Sequence, residues 1–441
     1  PDQLHRGINW MSRISRSIAS GGSASSKLDP LLIATLEPQM AVVEKNEDAE
    51  LPEACAELSI TTMRGEFVAS VTAKVSDSIA EVKNAIAKAT GIQPVRQCLV
   101  HGSSSLQSTD QVSTIVDGSA GGKVLLMLTT LTFDAMIEAI MNLRGTDSPA
   151  SVDLPEEWIS ALCDAAQEVF LSEPSLLEIA APVNVASFIS GDFDTVLKFF
   201  DRCGLPPESK YLFLGNYTSI THTSLSLQLA NPSHHLRPSQ EIELLVLLLA
   251  YKVTYPDRIW LLRGKAEISS VSRAYGFRSV FVQRYNGKLW KRLMQVFDCM
   301  PLCALVGDRI FCVSGGLSPE LTDFDQIRRM ERPTDVLEAG LLCDLLWSDP
   351  DTDINGWVEN DRGASWAFGS DVVTDFVQKH GLDLIIRGHN AVQDGYDVVA
   401  DGRMITVITA VNYKGDFRNA GAIAMVEDTL HVSFEVMSFC D

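Results

Sequence analysis

The chain has 441 residues, 46% of them apolar, with 57 acidic against 36 basic side chains and a formal net charge of −21. That length and apolar content suit two or three domains with sizeable cores, and the acidic balance argues against nucleic acid or an anionic membrane surface as partner. The longest nearly apolar run, Ile242 to Ala250, contains Glu243 and falls far short of the roughly 18 residues that span a bilayer.

In chain order, residues 1–30 are rich in Ser and Arg around Gly21-Gly22-Ser23, and residues 44–57 form an acidic linker. Segment 1–56 therefore reads as a flexible tail, because such a composition buries too little to offset its ordering entropy. The chain opens on Pro1, as if its natural start were missing or processed, and Arg13 and Arg16 among Ser and apolar residues keep open a targeting-peptide remnant. Leu58 to Val75 alternates apolar and polar about Met63-Arg64-Gly65-Glu66, which predicts a hairpin. Asp77 and Ser78 start a helix that carries Ile79, Val82, Ile86 and Ala89 on one face and ends at Gly91-Ile92-Gln93-Pro94. Apolar runs at Gln97 to Val100 and Val124 to Leu128 predict two more strands. A small sheet wrapped on one helix results.

In the order of its hairpin, helix and Leu99-Val100-His101-Gly102 strand, segment 57–131 resembles ubiquitin-like domains. The resemblance implies a β-grasp fold. The segment continues as Thr129-Thr130-Leu131-Thr132 without an Arg-Gly-Gly tail, so it reads as a built-in module and not a modifier. Met63, Leu99 and Met127 fall where ubiquitin carries its apolar patch. They are either sheet core or surface, or a docking patch for ubiquitin receptors.

From 132 onward helical and strand patterns alternate. Ile159 to Leu171 reads as an amphipathic helix and Glu241 to Tyr251 as a buried one. Strands are predicted at Tyr211 to Gly215, Ile259 to Gly264, Ile310 to Val313, Leu382 to Ile386 and Met404 to Ala410. The loops at strand ends include Gly191-Asp192-Phe193-Asp194, Gly215-Asn216, Arg263-Gly264-Lys265-Ala266-Glu267, Ser314-Gly315-Gly316, Arg387-Gly388-His389 and Asn412-Tyr413-Lys414. Asp, Asn and His on successive strand ends suggest a hydrolytic metal site, since α/β folds deliver their chemistry there.

Distinctive stretches sharpen this: Pro206 to Gly215, Ile327-Arg328-Arg329, Arg332-Pro333-Thr334-Asp335-Val336, Gly340 to Asp351, Glu359-Asn360-Asp361-Arg362-Gly363 and Asn419-Ala420-Gly421-Ala422. On these, residues 132–441 are similar to the catalytic subunit of type-1 serine/threonine protein phosphatase, of the metallophosphatase superfamily. The resemblance implies a calcineurin-like metallophosphoesterase α/β sandwich of two mixed sheets flanked by helices. It implies a pair of divalent metals (Mn, Fe or Zn), a bridging hydroxide that attacks phosphorus, a His general acid and arginines on the phosphate.

Carried over position by position, the resemblance breaks down at the chemistry. Asp192 is kept, but the His of its motif is lost from a shortened loop, leaving open whether Asp194 takes its place. The bridging Asp is Asn216, which offers only an amide oxygen, and the acid orienting the catalytic His is Ser219. One phosphate Arg is Ile220. The Asn ligand is Lys265, the general-acid His is Ala266, and a further His ligand is Ser314. His389, Arg362 and Tyr413 survive. The expectation is a pseudophosphatase that holds no metal cofactor and acts as a binding or scaffold subunit. An active metal-dependent phosphoserine/phosphothreonine phosphatase and a ubiquitin-like adaptor or assembly subunit are the alternatives.

Lys265 at a ligand position suggests an internal ion pair with Asp192 or Asp194. Arg362, Tyr413 and Lys414, with Arg263 and Lys265, make a cationic remnant suited to phosphoproteins or to structural salt bridges. The family's groove for Arg-Val-x-Phe peptides matches Ile310, Leu384, Val398, Val432 and Phe434, all apolar. An insertion near 221–240 contains His222, His234 and His235 and reads as a surface loop rather than a new metal site. The nine cysteines include no Cys-x-x-Cys pair and read as thiols of a cytoplasmic or other reducing compartment.

Overall fold

The computed structural model describes residues 55–439, except 63–64, 93, 95–96, 102–103, 107–109, 116–122, 131, 145–150, 153, 220–239 and 416. The expected tail up to residue 54, the insertion with His222, His234 and His235, and Met63 thus lie outside the described residues. The chain divides into two compact units. One runs to Met136 and takes in Asp153–Ala161; the other contains Ile137–Val152 and everything from Leu162 onward.

In the first unit, β1 (Cys55–Thr61) takes in the last three residues of the expected linker and pairs antiparallel with β2 (Phe67–Lys74), Leu58 opposite Val71. Alternation puts Ala56, Leu58 and Ile60 inside with Ala69, Val71 and Ala73, as a period of two requires. The helix Ile79–Thr90 starts at a capping box, in which Ser78 and Glu81 each accept from the other's backbone N–H. Its buried face of Ile79, Val82 and Ile86 joins the core of the sheet. β3 (Gln97–His101), β4 (Ser104–Ser105) and β5 (Lys123–Thr130) complete the order β2-β1-β5-β3-β4, with β5 parallel to β1. Gln97, fully buried, donates its Nε2 to the carbonyls of Lys83 and Ile92 and so ties β3 to the helix. Leu99 is fully buried in the core, so of its two sequence readings the core holds and the surface patch does not.

The second unit is a mixed α/β sandwich. Its strands are β6 (Leu176–Ile179), β7 (Val183–Ala186), β8 (Tyr211–Phe213), β9 (Ile259–Leu261), β10 (Cys303–Val306), β11 (Ile310–Val313), β12 (Asp349–Pro350), β13 (Trp357–Glu359), β14 (Trp366–Phe368), β15 (Leu384–Arg387), β16 (Tyr396–Val399), β17 (Met404–Val407), β18 (Gly421–Val426) and β19 (Val432–Met437). One sheet has the order β16-β17-β15-β11-β10-β6 and the other β19-β18-β7-β8-β9; a third, β12-β14-β13, is an addition to the two expected. Val185, Leu212, Ala304, Ile310, Ile386, Val407 and Ala424 meet between the two large sheets. Phe311, Ile385 and Met404 point the other way, onto Val373, Phe376 and Val377 of the helix Ser370–His380. The helix Glu241–Thr254 is buried on nearly every side, which its nearly continuous apolar run foretold.

Strands β7, β8 and β9 run parallel, as do β11, β15 and β17, so each set delivers its loops at one end. Those ends meet across the sandwich. Thr409 N–H donates to the Ser187 carbonyl at 2.7 Å, and the Ser187 N–H donates to Thr409 Oγ1 at 3.0 Å. The sheets approach so closely here that a Cβ on Gly388 would lie 1.8 Å from Ser187 Oγ.

Candidate functional site

The loops after β8 and β9 are locked together before any functional side chain is placed. Gly215 lies in the left-handed region at φ 98°, and a Cβ there would meet the Gly264 nitrogen at 2.5 Å. The buried Glu267 carboxylate accepts from the backbone N–H groups of Asn216 (2.8 Å), Tyr217 (2.9 Å) and Gly264 (2.9 Å). Burial raises its pKa, and these bonds oppose the shift.

Around this frame stand the sequence candidates. Asp192 caps the helix Phe193–Cys203: its carboxylate accepts from Thr195 N–H (3.2 Å), Thr195 Oγ1 (2.6 Å) and Val411 N–H (3.3 Å). Asp194, half-buried, sits in the first turn of that helix. Asn216 is fully buried; its Oδ1 accepts from Ala266 N–H at 3.2 Å and its Nδ2 donates to Ser314 Oγ at 3.4 Å. Ser219 turns to the helix Glu241–Thr254, its N–H and hydroxyl both donating to Glu241 Oε2 at 2.9 Å. Ala266 packs in an apolar cluster with Phe188, Ile408 and Ala410.

Lys265 corrects the expected ion pair. Only 6% exposed, it donates to the His389 carbonyl at 3.4 Å and lies 5.5 Å from the Trp347 ring and 5.9 Å from that of Phe188. Among the described residues neither Asp192 nor Asp194 pairs with it. The cap position holds the Asp192 carboxylate against its own helix, which is why it does not turn to the ammonium. Burial pushes the Lys265 pKa well below the ordinary range, with Arg362, Arg387 and Lys414 adding to the shift and Asp349 opposing it.

Asp349, which sequence reasoning passed over inside the stretch Gly340 to Asp351, organises the cations. It accepts from Arg362 Nε (2.6 Å), Asn360 Nδ2 (3.1 Å) and Arg387 Nη2 (2.8 Å), and meets His389 Nδ1 at 2.8 Å. The neighbouring His389 and arginines hold it far below the usual carboxylate range, against the effect of burial. An ionised carboxylate only accepts, so His389 Nδ1 carries the proton of this bond. His389 is 2% exposed, and its Nε2 has no partner among the described residues. Arg362, whose side chain is 36% exposed, is held also by Asn390 Oδ1 at 2.6 Å. The Tyr413 ring packs 5.0 Å from Phe188, and burial raises its hydroxyl pKa to about 12. Tyr275, a second tyrosine missed in the sequence, packs with Tyr413 against the apolar cluster of Phe188 and Ala266.

Arg263 does not belong to this set. Fully buried, it donates to Asp298 Oδ1 (2.5 Å), the Thr334 carbonyl (2.5 Å) and the Glu267 carbonyl (3.4 Å), a structural role. Elsewhere, Ile310 and Leu384 are core, and Val432 and Phe434 pack against the same core from the edge strand β19. Phe434 stacks on Tyr396 of the other edge strand, β16, at 3.8 Å. Val398, opposite Ile405 and so on the same face, is 46% exposed. Among the described residues no group of three or more His, Cys, Asp or Glu is placed to hold a metal ion, and no helix is long and apolar enough to cross a membrane.

Residues 133–180 match the serine-threonine protein phosphatase N-terminal domain, and residues 188–393 match the calcineurin-like phosphoesterase family. The second match contains Asp192, Asn216, Lys265, Ser314, Asp349, Arg362 and His389. The larger unit is therefore similar to calcineurin-like phosphoesterases over most of its length, and the segment that leads into it is similar to the N-terminal domain of serine/threonine protein phosphatases. Among solved structures it is similar to a protein serine/threonine phosphatase from Saccharomyces cerevisiae with similarity to human phosphatase PP5. That match has 24% identity and a TM-score of 0.58, over 65% of this chain and 90% of that one. A looser likeness is to a cold-active protein-tyrosine phosphatase of a psychrophilic Shewanella, with 16% identity and a TM-score of 0.46, over 71% of this chain and 92% of that one.

Proposed function

We propose that this domain is a non-hydrolytic, phosphatase-like binding or scaffold subunit. The observation that carries the reading is the Lys265 ammonium, buried against His389, Phe188 and Trp347 where the resemblance puts a metal ligand. In its protonated form this side chain opposes any dication. The remaining donors do not fit the family's two divalent metals either, which need several anionic ligands to offset their repulsion. Asp192 is engaged as a helix cap and the Asn216 oxygen accepts from Ala266, while among the described residues His389 Nε2 has no partner. Ala266, packed in an apolar cluster, offers no proton where the resemblance puts the general acid, and Ser219 faces Glu241. The test is metal analysis of the purified full chain, with phosphopeptide turnover in added manganese. Expected are substoichiometric metal and turnover no higher than in an Asp192→Asn/His389→Ala variant. Stoichiometric metal with turnover above that variant would establish an active serine/threonine phosphatase instead.

Half-buried Val432 and Phe434, lying over the core residues Ile310 and Leu384 with exposed Val398 nearby, suit the apolar side chains of an Arg-Val-x-Phe peptide laid along the sheet edge. Phe434→Ala is expected to weaken such a peptide about tenfold; unchanged affinity would remove the groove from the account.

A second reading is favoured by the sheet order and separate core of the N-terminal unit. It is a ubiquitin-like module working as an adaptor or assembly subunit. With Leu99 in the core, recognition of a ubiquitin receptor falls to Met63 and Met127. Full-length Met63→Ala/Met127→Ala is expected to lose capture by an immobilised ubiquitin-binding domain, and retained capture would contradict it.

A further inference from the structure

We propose that three successive helices, Ser269–Ala274, Phe277–Arg284 and Gly287–Asp298, form a docking surface for an acidic segment of a partner protein. Arg273 and Arg278 at the Trp290 ring grip that segment, with Lys288 and Lys291 on the helix that carries the ring. The surface uses none of the strand-end residues, so it stands whether or not that site hydrolyses.

Local charge sets this stretch apart. Residues 269–298 carry six bases, Arg273, Arg278, Arg284, Lys288, Lys291 and Arg292, and one acid, Asp298, in a chain of 57 acids and 36 bases. Asp298 is bonded to Arg263. Two of the six bases are paired with acids outside the stretch, Arg284 with Glu243 and Arg292 with Asp164. The other four, Arg273, Arg278, Lys288 and Lys291, are exposed and have no ion pair among the described residues.

Packing gathers those four. Trp290 is 2% exposed, and its Nε1 donates to Ser272 Oγ at 3.2 Å, which fastens the third helix to the first. The guanidinium carbons of Arg273 and Arg278 lie 5.1 and 5.3 Å from the centroid of that one indole ring. The ring attracts both cations and holds two like charges side by side. Lys288 and Lys291 are three residues apart on the helix and therefore neighbours on its surface. Carboxylates arriving here offset a repulsion that no acid of the stretch relieves.

The residue types and the surrounding charge define the partner. A guanidinium stacked on a ring keeps its N–H edge for a bidentate bond to a carboxylate. Stacking has already ordered the side chain, so binding loses less entropy. The whole chain carries −21, so a nucleic acid strand or an anionic bilayer would extend past the patch into a repelling field. A short run of Asp or Glu ends inside the patch and meets no such field.

The experiment is fluorescence anisotropy of the full-length protein with a labelled Glu-Gly repeat peptide and its Gln-Gly counterpart. Expected is binding at least about tenfold tighter for the Glu peptide, weakening as salt rises. Arg273→Gln/Arg278→Gln changes only exposed positions and leaves Trp290 in place; a loss of about tenfold or more is expected. Arg278→Lys keeps the charge without the planar fork and is expected to lose part of that affinity. Arg328→Gln/Arg329→Gln removes the same charge elsewhere on the surface and is expected to leave binding unchanged. An equal loss in that pair would reduce the effect to net charge and overturn the inference. Equal binding of the two peptides, or full binding by Arg273→Gln/Arg278→Gln, would do the same. Tighter binding of phosphatidylserine vesicles or single-stranded RNA than of the peptide would overturn it in favour of a lipid or nucleic-acid face. Self-association that excludes the peptide would overturn it in favour of a second copy of the chain.

Discussion

At the scale of single residues, the two sides of one buried network are expected to respond oppositely to substitution. Lys265 loses its hydration for a single carbonyl at 3.4 Å and two ring faces, so Lys265→Met removes a desolvated charge and keeps most of its volume. Urea denaturation is expected to show that variant unchanged or more stable, by up to about 3 kcal/mol. A clear loss of stability would mean that the ammonium is better solvated than its burial indicates. Asp349→Asn does the reverse, because it strips the charge partner from Arg362, Arg387 and His389 at once. A loss of about 3–5 kcal/mol is expected in the same measurement, the usual result of orphaning a buried pair. Legibility at this scale was uneven. Asp192, His389, Arg362 and Tyr413 stood in motifs that named their positions. The partner of Lys265 did not, because it depends on which way the Asp192 carboxylate turns, and helix capping decides that. Asp349 and Tyr275 lay in stretches whose residue types gave no chemical signal.

At the scale of elements, the contact between the loops after β8 and β9 is the sharpest constraint. Gly215→Ala puts a side chain at φ 98° and 2.5 Å from the backbone of Gly264. Strain and clash together are expected to cost about 3 kcal/mol or more by chemical denaturation; a cost below about 1 kcal/mol would contradict that close approach. Length governed which elements could be read beforehand. The helices Ile79–Thr90 and Glu156–Ser172 repeat their apolar face over several turns, and the structure places both where periodicity did, within three residues at each end. β12, β13 and β14 have two or three residues each, too few for alternation to show, and β10 is buried on both faces, which erases alternation altogether. The order of strands in the two large sheets was accessible only through family resemblance, since periodicity within a strand says nothing about its neighbours.

At the scale of the whole molecule, each unit has its own apolar cluster: Leu58, Val71 and Val82 in one, Leu212, Ile310 and Ile386 in the other. Leu58→Ala, at a fully buried position, is expected to cost about 2–5 kcal/mol. Hydrogen exchange read by mass spectrometry should show the lost protection within the first unit, with β7, β8 and β9 unchanged. Exchange rising equally in those strands would show one cooperative body instead of two. The net charge of −21 is compatible with this architecture and explains none of its chemistry, because the site gathers the minority charge.

The capping of the helix Phe193–Cys203 by Asp192 bears on ancestry. That carboxylate steadies the first turn and the Val411 backbone together, while Asn216 is stitched to both Ala266 and Ser314. Turning Asp192 outward toward a cation would unfasten two segments of chain, and restoring one residue at 216 or 265 would leave the others facing their present partners. On the proposed non-hydrolytic reading, a descendant able to hydrolyse would have to change several positions in concert. Such an arrangement works as a ratchet: drift can deepen it, and selection acting one substitution at a time has no downhill route back.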